Sequence, residues 1–264
     1  MAGSELSKTR QIYLTLRDRI ARGEFDRDGG LPGEQSLASE FGVSRVTLRR
    51  ALASLEDEGL IDRRRGAGTF LSDRDRPRPV VVQLADMMPH LVEMGRSTQV
   101  RLIDFDYRDP LPEVARALRL RMGERVQWSL RKRLIDGAPF SFLTTCVPEA
   151  IGRLFTRRDL SRQPLLALLE QNGVIADHAT QDISAELATP DVAKALDAPI
   201  GAALIALTRV VYDRDERGVE YLRALYRPDR YTFRMDLTRK ANAAGVRWTP
   251  ATASARELAG AEFQ

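Results

Sequence analysis

The chain has 264 residues, enough for about two domains of ordinary size, and its 43% apolar content can build a packed interior, which excludes a mostly disordered protein. No run approaches the roughly 20 apolar residues of a membrane helix, Met1–Glu5 lacks an export signal, and one cysteine (Cys146) with two histidines (His90, His178) supports neither an internal disulfide nor a zinc site. The expectation is a soluble cytoplasmic protein without cofactor, metal or membrane partner. Net charge is only +4, from 41 basic and 37 acidic residues, yet all the basic residues except Lys8, Lys132, Lys194 and Lys240 are arginine. Arginine forks onto phosphate and carboxylate, but genomic base composition explains most of such an excess, so nucleic-acid binding has to be argued from a motif.

In chain order, Ile12, Leu16 and Ile20 line one face of a first helix. After Gly29-Gly30 and Leu31-Pro32-Gly33, a short second helix from about Glu34 turns Leu37, Ala38 and Phe41 inward. Gly42-Val43 is a tight turn, and Ser44 is a good N-cap for a third helix burying Leu48, Ala51, Leu52 and Leu55 and ending near Gly59. Leu60–Arg63 and Thr69–Leu71 read as two strands flanking a glycine-containing tip. This segment, 8–72, is predicted as one domain. The charged, proline-bearing stretch that follows reads as a linker over 73–82. Beyond it the pattern alternates between strands (near 98–108, 124–136, 139–147, 176–187, 203–213, 218–227 and 231–236) and short helices (near 87–94, 112–119, 149–155, 164–171 and 190–197). Asp136-Gly137 and Asp215–Gly218 look like hairpin turns. The second domain, 83–238, is therefore predicted as α+β with an antiparallel sheet, and 239–264, alanine-rich with few large apolar side chains, as a loose tail.

Three short helices and a hairpin describe a winged helix-turn-helix. The third helix then exposes Arg45, Val46, Arg49 and Arg50. Arg45 and Arg49 lie one turn apart, so both can enter a major groove, where an arginine meets two guanine acceptors at about 1–3 kcal/mol of discrimination per good pair. Ser44 and Thr47 at the helix start suit phosphate, and Arg63, Arg64 and Arg65 flank the hairpin tip. Either arginine of the helix, taken singly, would more often be a solvated side chain; the arrangement as a whole is specific.

Leu31-Pro32-Gly33-Glu34-Gln35, Val43–Leu52, Gly59-Leu60-Ile61 and Gly66-Ala67-Gly68-Thr69-Phe70 resemble the signature of the GntR family of bacterial transcription regulators. The resemblance implies that the third helix reads the major groove while the wing lies over the minor groove, with DNA contacts from Ser44, Arg45, Thr47, Arg49 and the wing glycine Gly66; Arg64 and Arg65 adjoin that glycine. The family usually has serine at Gly33 and arginine at Gln35, so Gln35 stands in for a charged DNA contact.

In the second domain, Leu130–Pro139, Val147-Pro148, Pro164–Glu170 and Tyr226–Phe233 resemble the HutC-type branch, whose effector-binding UTRA domain has the chorismate-lyase fold. Strand alternation puts Arg131 and Arg133 on one face of their strand, and Glu220 and Tyr226 on one face of theirs. The resemblance implies that these four build an effector pocket. Paired guanidinium groups suit a carboxylate or phosphate, and Glu220 suits a hydroxyl, amine or ring nitrogen. Other members carry glutamate at Leu143 and often arginine at His178, which turns the expectation from a phosphorylated amino sugar toward a smaller or more aromatic organic acid. Thr144 and Thr145, beside Leu143, are candidate hydroxyl contacts, and His178 is a further candidate contact.

The function expected is a ligand-responsive regulator, with repression the commonest sign, acting as a homodimer on a palindromic double-stranded DNA operator with half-sites about one helical turn apart. Two alternatives stand beside it: an enzyme of chorismate-lyase-like fold acting on a small organic acid, for which the sequence offers no nucleophile–histidine pair or suitably spaced carboxylates, and a DNA-packaging protein with no ligand.

Overall fold

Helix α1 (Lys8–Ala21) starts where the Ser7 side chain accepts the Arg10 N–H at 3.3 Å, and it buries Ile12, Tyr13, Leu16 and Ile20. Strand β1 (Gly30–Leu31) leads to α2 (Glu34–Glu40), whose N-cap, Gly33, makes no side-chain capping bond. Helix α3 (Arg45–Asp57) is capped by Ser44, which accepts the Thr47 N–H at 3.2 Å. It buries Leu48, Ala51, Leu52 and Leu55 against α1, and Gly59, at φ +67°, turns the chain out of it. Strands β2 (Ile61–Arg64) and β3 (Gly68–Leu71) form the wing hairpin. β1 joins the outer side of β3, making a three-stranded sheet of order β1-β3-β2. A two-residue strand has too few positions to show alternation, so β1 was illegible in the sequence.

This computed structural model describes residues 7–25, 30–64, 67–72, 80–83, 98–242 and 245–250. Its contacts divide the chain into two units, Met1–Arg76 and Pro77–Gln264. The second unit runs β4 (Val80–Gln83), β5 (Gln99–Arg108), α4 (Pro112–Ala117), β6 (Val126–Ile135), β7 (Ala138–Pro148), α5 (Glu149–Gly152), α6 (Arg157–Leu160), α7 (Leu165–Gln171), β8 (His178–Leu187), α8 (Pro190–Leu196), β9 (Ala203–Tyr212), β10 (Gly218–Tyr226), β11 (Tyr231–Arg234), β12 (Leu237–Asn242) and β13 (Gly245–Pro250). A six-stranded antiparallel sheet of order β5-β6-β7-β10-β9-β8 is its spine. On one face α4 and α8 bury Val114, Leu118, Val192 and Leu196 against Cys146, Val210, Ala206 and Leu225. Against the other, Leu160 of α6 and Leu165, Leu168 and Leu169 of α7 pack on Val147, Val211 and Val219.

Two sequence expectations change. Residues 80–83, placed in the linker, form β4, which pairs in parallel with β11; Val80-Val81-Val82 is a β-branched run that the proline-rich composition just before it outweighed. The loose tail expected from 239 begins instead inside a hairpin: β12 and β13 pair from Leu237↔Pro250 to Asn242↔Gly245. Backbone pairing there needs no apolar content, which is why composition misread it. Residues 251–264 and the helix expected at 87–94 lie outside the described residues.

Candidate functional site

The outward face of α3 carries Arg45, Val46, Arg49 and Arg50, all exposed. At its start Ser44 and Thr47 share a side-chain hydrogen bond of 2.9 Å, and Gln35 is exposed on α2. Arg64, on the wing, lies over the Phe70 ring at 5.0 Å, a cation–π contact. Arg65 and Gly66 lie outside the described residues. Between α3 and the wing runs a groove of about 440 Å³ lined by Glu34, Arg49, Arg63, Arg64 and Thr69. Within it the Glu34 carboxylate accepts from Arg49 Nε through one oxygen and from Arg63 Nη2 through the other, both at 2.7 Å. Desolvation pushes the Glu34 pKa up, but the hydrogen bonds and charges of the two arginines outweigh it and hold the carboxyl below its ordinary range. The acidic run at the end of α3 is structural: Glu58 accepts the Tyr13 hydroxyl and pairs with Arg17 at 3.4 Å, and Glu56 accepts the Arg63 N–H. Burial, then the Glu58 hydrogen bond and charge, push Tyr13 up to about 12.

In the second unit, strand register assembles a polar patch on the α7 side of the sheet. Arg131 pairs with Leu143, which pairs with Ala224 and, beyond it, Leu207. Two residues along lies the row Arg133–Ser141–Tyr226–Ile205, and two residues the other way the row Ser129–Thr145–Leu222–Arg209–Gln181. Glu220 follows Leu222 on the same face. Arg131, Arg133, Arg209, Glu220 and Tyr226, with Leu143, Leu222 and Pro164–Leu166 at the entry to α7, line a cavity of about 50 Å³. Arg131 is 2% and Glu220 3% exposed. Arg131 Nε and Nη1, Glu220 Oε2 and Ser141 Oγ have no hydrogen-bond partner. Desolvation, reinforced by the charge of Arg133 and only partly offset by Glu220, lowers Arg131 to about 10. Desolvation raises Glu220 against the pull of Arg209 and Arg131.

Two family models match the chain: "Bacterial regulatory proteins, gntR family" over residues 8–71 and "UTRA domain" over residues 93–232. The chain belongs to the GntR family, in its HutC-type branch with a UTRA domain. The repressor NagR of Bacillus subtilis is 28% identical over 223 residues, spanning 84% of this chain and 91% of that protein. The histidine utilization repressor of Pseudomonas putida is 27% identical, spanning 75% and 79%. Among solved structures, YydK of B. subtilis shares the fold, with a TM-score of 0.53 at 19% identity over 88% of this chain and all of that one. A ligand-binding domain from Bordetella bronchiseptica, ascribed to the same family, matches 53% of this chain and 91% of its own at 30% identity and a TM-score of 0.51. The chain is thus a ligand-responsive transcription regulator of the repressor type rather than an enzyme, and regulators of this family bind DNA operators and small-molecule effectors.

Within this GntR regulator, Arg131, Arg133, Glu220 and Tyr226 come together around the cavity; two other candidates do not. Thr144 pairs with Leu130 and Arg223 and faces the opposite side of the sheet, because neighbouring strand residues point to opposite faces. Its neighbour Thr145 is the buried hydroxyl on the cavity face, bonded to Ser129 at 2.6 Å. His178 stands on edge strand β8 opposite Tyr212, on whose ring it stacks at 5.0 Å, with Asp177 and Glu216 near its nitrogens. That places it on the face away from the cavity. Arg209 was missed. Its signal was present: a lone charge inside the apolar run Ala203–Tyr212, at the same parity as Leu207 and Val211, whose buried guanidinium donates twice to Gln181.

Proposed function

We propose that this regulator binds a palindromic double-stranded operator as a homodimer in the cytoplasm and releases or retains it according to a small organic acid bound in the cavity of its UTRA domain. Residues 8–72 bind DNA, and the second unit, which includes β4 and the β12–β13 hairpin, binds the effector. Arg45 and Arg49 read base edges in the major groove, Ser44, Thr47 and Gln35 meet the backbone and adjoining bases, and Arg64, Arg65 and Gly66 follow the wing across the minor groove. The exposed guanidinium face of α3 supports this.

The observation that carries the effector half is the set of unpartnered, buried polar atoms lining one pocket: Arg131 Nε and Nη1 against Glu220 Oε2. A buried donor or acceptor left unmade costs about 1–3 kcal/mol, so donors and an acceptor facing one space call for a ligand with both complements. An anionic group meets Arg131 and Arg133, and an N–H or O–H meets Glu220. Leu143 and Leu222 leave the middle apolar, and the volume of about 50 Å³, far below the roughly 300 Å³ of an ordinary ligand site, favours a small ligand. A thermal-shift series of small organic acids, sugar phosphates and imidazole derivatives tests the reading, because a ligand of the native state raises its stability by mass action. An acid bearing a donor should raise Tm and change operator affinity; a series in which only sugar phosphates act overturns the effector class.

A further inference from the structure

We propose that Glu34 is a positioning residue for base reading: it grips Arg49 by the Nε edge, turns the outer Nη edge of that guanidinium toward the duplex, and ties it to the wing through Arg63. The inference rests on the reading above, that α3 enters the major groove. Its own basis is the geometry of the clasp, one carboxylate making two 2.7 Å bonds to arginines from two different elements. The Glu34 side chain is half-buried at 20% exposure, whereas Arg49 remains 56% exposed, so the carboxylate works from beneath and leaves the far edge of the guanidinium to solvent. Among the described residues no carboxylate pairs with Arg45 or Arg50, so Arg49 is the clamped arginine of this helix face.

A free arginine loses considerable rotamer freedom on fixing its fork on a base; one already held at Nε has lost much of it before DNA arrives, and the bidentate Nη geometry matches guanine O6 and N7. The arrangement also costs something. A carboxylate lining the groove repels phosphate, which weakens binding to every sequence alike. Specificity is a difference of affinities, and Glu34 acts on both sides of it, lowering the non-specific side while stiffening the specific one. Arg63, held by Glu34 and by the Glu56 carboxylate at 3.9 Å, makes the wing base part of the same rigid unit.

The test uses the full chain and two duplexes of equal length and composition, one enriched by the parent protein from a randomised pool and one scrambled. Glu34→Gln keeps the size of the side chain and removes its charge. It should bind the scrambled duplex more tightly than the parent does, while the ratio of selected to scrambled affinity falls roughly tenfold and base tolerance widens at one position per half-site. A ratio within twofold of the parent overturns the proposal, as does a parallel loss on both duplexes with a lowered Tm, the mark of a merely structural role. Arg49→Ala separates the two levels: if it too leaves the ratio unchanged, the placement of α3 in the groove fails and the clasp with it. If Arg49→Ala collapses the ratio and Glu34→Gln does not, the positioning role alone fails. Should Glu34→Gln not fold, the DNA-free parent still decides: the Arg49 Nε–H should exchange with water well below the rate of Arg50, and equal rates overturn the proposal.

Discussion

Glu220 shows most clearly what a single side chain costs this protein. Its carboxylate is buried with one oxygen unpartnered, and desolvation raises its pKa more than Arg209 and Arg131 lower it. A group whose folded pKa lies above its unfolded value stabilises the fold below the unfolded pKa and loses that contribution as pH rises through the folded one. Above that folded pKa the ionised carboxylate is therefore a net burden. Glu220→Gln, which imitates the protonated form, should stabilise the effector-free protein at pH 7 by on the order of 1 kcal/mol, read as about 2–4 °C in Tm for a chain of this size. The gain should fade as pH drops through the folded pKa toward about 4.5 and below, and the same variant should lose effector response. A lower Tm at pH 7 for Glu220→Gln would mean that the attraction of the two arginines exceeds the cost of burial. Arg131 is in the corresponding position: its depressed pKa would be relieved by the anion proposed to bind beside it.

Among elements, β7 carries the sharpest distinction. Thr145 turns toward the cavity and bonds Ser129, and Thr144 turns away. Thr145→Val removes one buried hydrogen bond and should cost about 1 kcal/mol in denaturant-midpoint measurements and shift effector affinity. Thr144→Val should stay within about 0.5 kcal/mol and leave effector affinity alone; equal effects at the two positions would contradict the strand's facing. Much of this scale was legible. The α3 stripe Leu48, Ala51, Leu52, Leu55 and its Ser44 cap are encoded within one short window, and so is the parity that pairs Arg131 with Arg133. Thr144, a candidate contact, was correctable by the same parity, since it faces away from Leu143. His178 was not legible in this way: its face depends on being opposite Tyr212 across the β8–β9 register, a partner that periodicity does not name. The β12–β13 hairpin went unread because backbone pairing, not apolar content, makes it.

At the scale of the whole molecule, each of the two units has its own core: α1–α3 with β2 in one, the six-stranded sheet and its helices in the other. Arg131→Gln with Arg133→Gln should therefore leave operator affinity near that of the parent while abolishing the response to an effector acid, since allostery requires a ligand with different affinity for the two regulatory states. Loss of operator binding in the free double variant, with the fold intact by circular dichroism, would show the pair to be structural for the DNA-bound state. Helices, cap, wing and the alternation of the sheet strands were readable from residues alone, because each is specified by neighbours within a few positions along the chain. The cavity was not, nor the clasp of Glu34 on Arg49 and Arg63. Those depend on strand order, register and the approach of segments distant in sequence, and long-range packing settles which side chains meet there.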